Sequence, residues 1–210
     1  FLMRIDNLTI AYGERLVFND FSFEFSDQTI TAILGPSGIG KTTLLNALTF
    51  ANSTVSRIYQ EPRLLPWYTL EKNISIVLEG SRESRLLQAR KYLDKVGLSE
   101  KYNAFPCQIS GGECQRASIA RAFAYPAKTL LMDEPFQGQD IASKARLIDL
   151  IRTLQKEENR TIVAVTHDIQ DAIILAKRIV VLCGNPARIQ LDIEVTSDAK
   201  ARVEEALSSL

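Results

Sequence analysis

The sequence predicts an α/β fold built on a mostly parallel sheet, with a small antiparallel β lobe and an inserted helical segment. Three observations carry this prediction. Short apolar runs at 29–34, 129–132 and 161–165 read as strands buried on both faces, as in a sheet covered by helices. Helical patterns separate these runs, and strand–helix alternation argues for parallel pairing. Near the start, Phe21, Phe23 and Phe25 alternate with Ser22 and Glu24, the period of a half-buried antiparallel strand.

The elements follow in order. Residues 3–10 alternate loosely and read as a strand, and Tyr12-Gly13-Glu14-Arg15 reads as a turn into the Phe21–Phe25 strand. The run at 29–34 enters a Gly-rich turn and then a helix over 41–50. Residues 56–60 suit a further short strand. From 69 to 96 the pattern is helical, with one helix over 70–78 and a second over 83–96 stopped by Gly97 as a C-cap. Alternation then resumes. A helix over 113–124 is closed by Pro126, and the strand at 129–132 follows. The helix over 141–156 carries Leu147, Leu150, Ile151 and Leu154 on one face. The strand at 161–165, a helix over 168–176, strands at 179–183 and 188–195 and a helix after Ser197 complete the chain. Residues 1–210 therefore read as one domain, with a core and its antiparallel lobe over 1–60 and 108–210 and a helical subdomain over about 61–107.

Composition narrows the function classes. The chain has 210 residues, 46% hydrophobic and 24% charged, enough for a single buried core. Twenty-five basic residues balance 25 acidic ones, so the basic excess of a nucleic-acid binder is missing and no nucleic-acid partner is expected. His167 is the single histidine, which excludes a multi-histidine metal site within the chain. Cys107, Cys114 and Cys183 form no C-x-x-C pair and read as reduced, buried thiols of a cytosolic protein. No apolar run approaches the roughly 18 residues of a membrane helix. The start does not resemble a signal peptide, and Phe1-Leu2 ahead of Met3 reads as an added remnant. Work at a membrane would then go through a partner.

Two motifs carry the chemistry. Gly35-Pro36-Ser37-Gly38-Ile39-Gly40-Lys41-Thr42, followed by Thr43, fits G-x-x-x-x-G-K-[ST] in full, after an apolar strand and before a helix. Its glycines let backbone N–H groups wrap around phosphate oxygens, and the helix N-terminus adds favourable partial charge. Lys41 suits the β- and γ-phosphates, and the Thr42 hydroxyl suits Mg²⁺. Leu130-Leu131-Met132-Asp133-Glu134 ends a buried strand in two carboxylates. At the strand edge where ligands bind, Asp133 is a candidate Mg²⁺ ligand and Glu134 a candidate general base.

Ile109-Ser110-Gly111-Gly112-Glu113-Cys114-Gln115-Arg116 resembles the signature motif of the ATP-binding cassette (ABC) ATPases, and the resemblance extends over about 3–195. It implies a P-loop NTPase core and a head-to-tail homodimer or pseudo-dimer holding two ATP molecules. Ser110, Gly111 and Gly112 of one chain would then meet the γ-phosphate held by the other. Other positions match the family in order. Tyr12 falls where an aromatic residue stacks on adenine. Gln60 falls where a glutamine senses Mg²⁺ and water. Asp140 matches the aspartate that crosses the dimer interface, and His167 matches the switch histidine at the γ-phosphate.

A narrower resemblance lies in Gln60-Glu61-Pro62-Arg63-Leu64-Leu65-Pro66-Trp67, which is similar to importers of nitrate, sulfonates, taurine and thiamine precursors. There the family receives a coupling helix of the membrane permease, and Trp67 suits an interface anchor. The resemblance thus implies an ATP-hydrolysing subunit, peripheral on the cytoplasmic face of the membrane, that powers import of a small molecule. The alternative is an ABC-type ATPase acting outside import, as an exporter subunit or an ATP-gated clamp on nucleic acid or ribosomes. A non-hydrolysing nucleotide module fits poorly with intact Asp133, Glu134 and His167. Three segments depart from the family. The stretch between Lys41 and Gln60 is short and trims the antiparallel lobe. Gln137-Gly138-Gln139 precedes Asp140, and Glu113-Cys114 stands where glutamine is common.

Overall fold

The computed structural model describes residues 3–51 and 54–209. Phe1 and Leu2 lie outside the described residues. Strands β1 (Met3–Tyr12) and β2 (Arg15–Phe25) form a separate antiparallel hairpin, turned at Gly13 and Glu14. Gly13 has φ +60°, the left-handed region that a two-residue hairpin turn demands. As the alternation predicts, Phe21, Phe23 and Phe25 point inward while Ser22 and Glu24 face solvent.

The main sheet takes β3 (Ile30–Leu34), β4 (Val55–Ile58), β5 (Thr129–Asp133), β6 (Thr161–Val165), β7 (Arg178–Cys183) and β8 (Arg188–Glu194). Their spatial order is β4-β5-β6-β3-β7-β8, and every pair is parallel except β7–β8. Around it lie α1 (Lys41–Ala51), α2 (Leu70–Ser75), α3 (Arg82–Lys95), α4 (Gly111–Ala124), α5 (Ile141–Glu158), α6 (Ile169–Leu175) and α7 (Ala199–Ser208).

Side-chain alternation divides the core in two. Ala32 and Leu34, Leu130 and Met132, Ile162 and Ala164, and Ile179 and Val181 face a large cluster completed from α2 through α7. Their neighbours Ile33, Leu131, Val163, Val165, Val180 and Leu182 face the opposite cluster, made with α1 and the hairpin. Both faces of the central strands are therefore buried, which is why each reads as an unbroken apolar run. α2 and α3 pack on each other and on α4, outside the sheet.

Several predicted boundaries move. α2 ends at Ser75 rather than 78, because Val77 and Leu78 donate back to Ile74 and Ser75 in tight three-residue turns. α4 begins at Gly111, two residues early, because Ser110 caps it. The strand expected over 56–60 is Val55–Ile58 and joins the parallel sheet, leaving the antiparallel lobe with two strands among the described residues. The expectation of buried thiols holds for Cys183 alone. Cys107 is exposed and Cys114 is half-buried, because both lie on or beside the surface turn at Pro106–Gln108.

Candidate functional site

The C-terminal ends of β3, β5 and β6 open into a cavity of about 270 Å³ between the glycine-rich loop, the start of α1 and the carboxylates of Asp133 and Glu134. The loop is wedged under the hairpin. A Cβ on Gly40, at φ +114°, would stand 2.6 Å from Val17 Cγ1 and 3.0 Å from Phe18 Cε2, so only glycine fits there. Arg15 Nη2 donates to Gly38 O at 2.7 Å and ties the hairpin turn to the loop.

Lys41 begins α1 and is buried. Its Nζ donates to Gly35 O at 2.7 Å and Pro36 O at 3.1 Å, inside the curve of the loop. Burial pushes the ammonium below its ordinary pKa, while the charges of Glu134 and Asp133 pull it back up. The cation is thus held where an incoming anion would gain most from it.

Asp133 is the last residue of β5. Thr42 Oγ1 donates to its Oδ1 at 3.3 Å, and Arg57 Nη2 donates to its Oδ2 at 2.9 Å. Glu134 follows in the left-handed region, at φ +48°, a conformation costing an L-residue roughly 1 kcal/mol or more. Its N–H donates to Val165 O at 3.0 Å, which fixes the turn against β6. Its Oε2 lies 2.9 Å from His167 Nδ1, just past the end of β6. Toward a carboxylate that accepts, Nδ1 is the donor of this contact.

A smaller cavity of about 120 Å³ adjoins this pair and reaches the 136–139 loop. Lys144 Nζ bridges Asp168 and Asp171 at 3.1 and 3.0 Å, linking α5 to the His167 loop. Asp140 caps α5 by accepting from Ser143 N at 3.0 Å, and its hydrogen bonds with Ser143 hold its carboxyl below the usual range. Ser110 caps α4 in a reciprocal box. Glu113 N donates to Ser110 Oγ at 3.2 Å, and Ser110 N donates to Glu113 Oε2 at 2.9 Å. Gly111 and Gly112 stand in open space at that helix start.

The sequence-predicted residues are thus only partly gathered. Ser37, Gly38, Gly40, Lys41, Thr42, Thr43, Asp133 and Glu134 line the main cavity, and His167 touches it through Glu134. Tyr12, 61% exposed, and the exposed Gln60 do not line it. Ser110 to Gly112 and Asp140 sit at helix starts elsewhere on the surface. Trp67 is 66% exposed, on a loop pinned by the buried Asn73. Asn73 accepts from Leu65 N at 2.7 Å and donates to the carbonyls of Leu65, Tyr68 and Thr69.

Sequence reasoning missed Arg15, Arg57, Asn73, Lys144 and Arg121. The last, on α4, donates to Pro62 O and Arg63 O just beyond Gln60. None of them belongs to a motif, and their partners lie up to 76 residues away.

A model of the ABC transporter family matches residues 18–54 and 48–137 of the chain. The chain belongs to that family. Aliphatic sulfonates import ATP-binding protein SsuB 1 of Paracoccus denitrificans is 37% identical over 190 residues, covering 85% of this chain and 78% of the relative. The SsuB protein of a Mycobacterium species is 36% identical over 204 residues, covering 91% and 82%. The solved dimeric structure of a bacterial ABC transporter cassette superposes with a TM-score of 0.79 at 25% identity, covering 94% of this chain and all of that one.

As an ABC cassette the chain is an ATPase that uses Mg²⁺. Its residues fit that ion. The oxygens of Thr42 and Asp133 face one cavity 3.3 Å apart, and oxygen donors beside a phosphate site are what Mg²⁺ takes. Among the described residues no group of three or more His, Cys, Asp or Glu side chains gathers, so water and phosphate oxygens would complete the ion's shell.

Proposed function

We propose that this ABC cassette is the nucleotide-binding subunit of a membrane importer of small molecules, with sulfonates the first substrate class to test. The observation that carries the reading is the cavity at the start of α1 lined by Lys41, Thr42, Asp133 and Glu134, with His167 held against Glu134 beside it. The import direction and the sulfonate class rest on the names of the relatives.

In this reading the N–H groups of Gly35 to Thr43, with Pro36 and Ile39 shaping the turn, hold the phosphates, and Lys41 neutralises the β- and γ-oxygens. Tyr12, exposed at the hairpin tip, offers its ring to adenine. Thr42 and Asp133 would hold Mg²⁺, which when bound screens the charge of the terminal phosphates, and Gln60, outside the cavity lining here, would have to move in to join them. Glu134 accepts the proton of the attacking water as that water's oxygen bonds the γ-phosphorus and the β–γ bridging oxygen departs. His167 steadies the Glu134 carboxylate through Nδ1–H, and an Nε2–H, present when the ring is protonated, would donate to the phosphoryl oxygens. Ser110, Gly111, Gly112 and Asp140 of a second copy close over the nucleotide in a head-to-tail dimer. The exposure of Ser110, Gly111 and Asp140 in the single chain supports this, as do the dimeric solved cassettes.

The permease docks near Gln60 to Trp67, with Trp67 as its aromatic anchor. No helix among the described residues is long and apolar enough to cross a membrane. Attachment to the cytoplasmic face then runs through the permease. Steady-state ATPase of Glu134→Gln and His167→Ala tests the assignment. Glu134→Gln should lose about 10²-fold or more and His167→Ala at least about tenfold. Near-wild-type turnover in either variant removes that residue from its role. Co-purification with nucleic acid or ribosomes instead of a membrane subunit would overturn the importer reading.

A further inference from the structure

We propose that Arg57 is a positioning residue that acts as the built-in counter-cation of Asp133 and thereby sets how strongly nucleotide binding depends on Mg²⁺. The inference rests on Asp133 being the Mg²⁺ carboxylate, as argued above.

Arg57 lies on β4, the edge strand, paired with Leu131 of β5, two residues before Asp133. Its side chain is 12% exposed and that of Asp133 17%, so the pair is largely withdrawn from water. Three contacts immobilise the guanidinium. Nη2 donates to Asp133 Oδ2 at 2.9 Å, and Nη1 donates to Asn46 Oδ1 on α1 at 2.6 Å. The plane also lies over the Tyr59 ring at 4.8 Å, and Arg63 covers that ring as well, at 3.9 Å. Nε is buried without a hydrogen-bond partner among the described residues. A buried guanidinium with an unmet donor is costly, so the site retains this cation against its own desolvation.

The two carboxylate oxygens of Asp133 therefore have different neighbours. Oδ1 faces Thr42 and the phosphate cavity, while Oδ2 faces a fixed positive charge. Two consequences of opposite sign follow from Coulomb's law in a poorly screened pocket. Without Mg²⁺, Arg57 offsets the repulsion between Asp133 and the triphosphate, so ATP binds better than it would beside a bare carboxylate. With Mg²⁺, the same charge opposes the ion at Oδ1 and raises the Mg²⁺ concentration needed. A purely structural ion pair, tying the edge strand to its neighbour, predicts neither asymmetry.

The experiment is equilibrium ATP binding by titration calorimetry on the full chain, in EDTA and across a Mg²⁺ series. It compares wild type, Arg57→Met, Arg57→Lys and Asn46→Ala. Arg57→Met should weaken Mg²⁺-free ATP binding by about tenfold and lower the half-saturating Mg²⁺ concentration by about tenfold. Arg57→Lys, which keeps the charge, should stay near wild type on both readouts. Asn46→Ala only loosens the guanidinium, should move both readouts part-way, and keeps the test open if Arg57→Met fails to fold. An equal loss of ATP affinity with and without Mg²⁺, at an unchanged Mg²⁺ midpoint, overturns the proposal. Asp133→Asn separates the two ideas. If it leaves the Mg²⁺ midpoint unmoved, the metal assignment of Asp133 is what fails. If it moves the midpoint while Arg57→Met does not, the Arg57 proposal alone fails.

Discussion

The starts of α1 and α4 are both glycine-flanked helix N-termini, yet their surroundings differ. At α1 the turn is folded under the β1–β2 hairpin, a buried lysine sits within it, and two carboxylates and a threonine hydroxyl face the same cavity. At α4, Ser110 and Glu113 satisfy one another, Gly111 and Gly112 face open space, and the nearby Lys101 is paired with Glu113 at 3.1 Å. The first terminus carries its own cation and the chemistry around it. The second has its cap donors taken up by Ser110 and Glu113 and its nearby cation paired with the same carboxylate. A helix start alone therefore does not make a phosphate site, and the surrounding tertiary contacts decide what it can hold.

The largest test of that contrast is Lys41→Ala. Removing the cation at α1 should lower ATP turnover by about 10²-fold or more, whereas no single change at α4 should match it in the isolated monomer. Comparable losses in monomeric Ser110→Ala would erase the distinction. Next comes Asn73→Ala, on α2, which packs beside α4. It removes the partner of the Leu65 N–H and of the Tyr68 carbonyl, while the Leu65 and Thr69 carbonyls keep the backbone N–H groups of Tyr68 and residue 73, so a loss of about 1–3 kcal/mol in denaturant unfolding is expected. Trp67 is the single tryptophan, and its quenching by iodide should rise while ATPase of the isolated chain persists.

Smaller still, Ser110→Ala and Glu113→Ala each break one half of the α4 cap and should cost about 1 kcal/mol. Only Ser110→Ala should also reduce ATPase at concentrations where the chain dimerises, if α4 completes a partner's site. The smallest effect concerns acid. The Ser110 N–H, and then Lys101, hold the Glu113 carboxyl below its ordinary value of 4.5. Because the folded pKa is depressed, that stabilisation is complete above pH 4.5 and fades as pH falls through the lower folded value. Glu113→Gln keeps the cap but not the charge, so its acid-unfolding curve should be flatter in that window.

Much of the cavity was legible in the sequence because it is local. The glycine loop, Lys41 and Thr42 are contiguous, and Asp133 and Glu134 end an apolar run that reads as a covered strand beside that loop. His167 was legible for the same reason, two residues past the strand at 161–165. Arg57 was not. It sits on a four-residue edge strand with no periodicity to announce it, and its partner is 76 residues distant. Gln60 shows the reverse case. The motif order singles it out, but the shortened stretch before it ends β4 at Ile58 and leaves Gln60 exposed, away from the cavity lining.

By itself, the sequence determined the α/β class, the parallel strands and the phosphate loop, since periodicity and contiguous motifs report local backbone and burial directly. Only the tertiary structure decided which charges meet. It brought Arg57 to Asp133, Glu134 to His167 and Lys144 to Asp168 and Asp171. Those pairings depend on strand order and on which edge each strand ends at, and no spacing along the chain encodes that order.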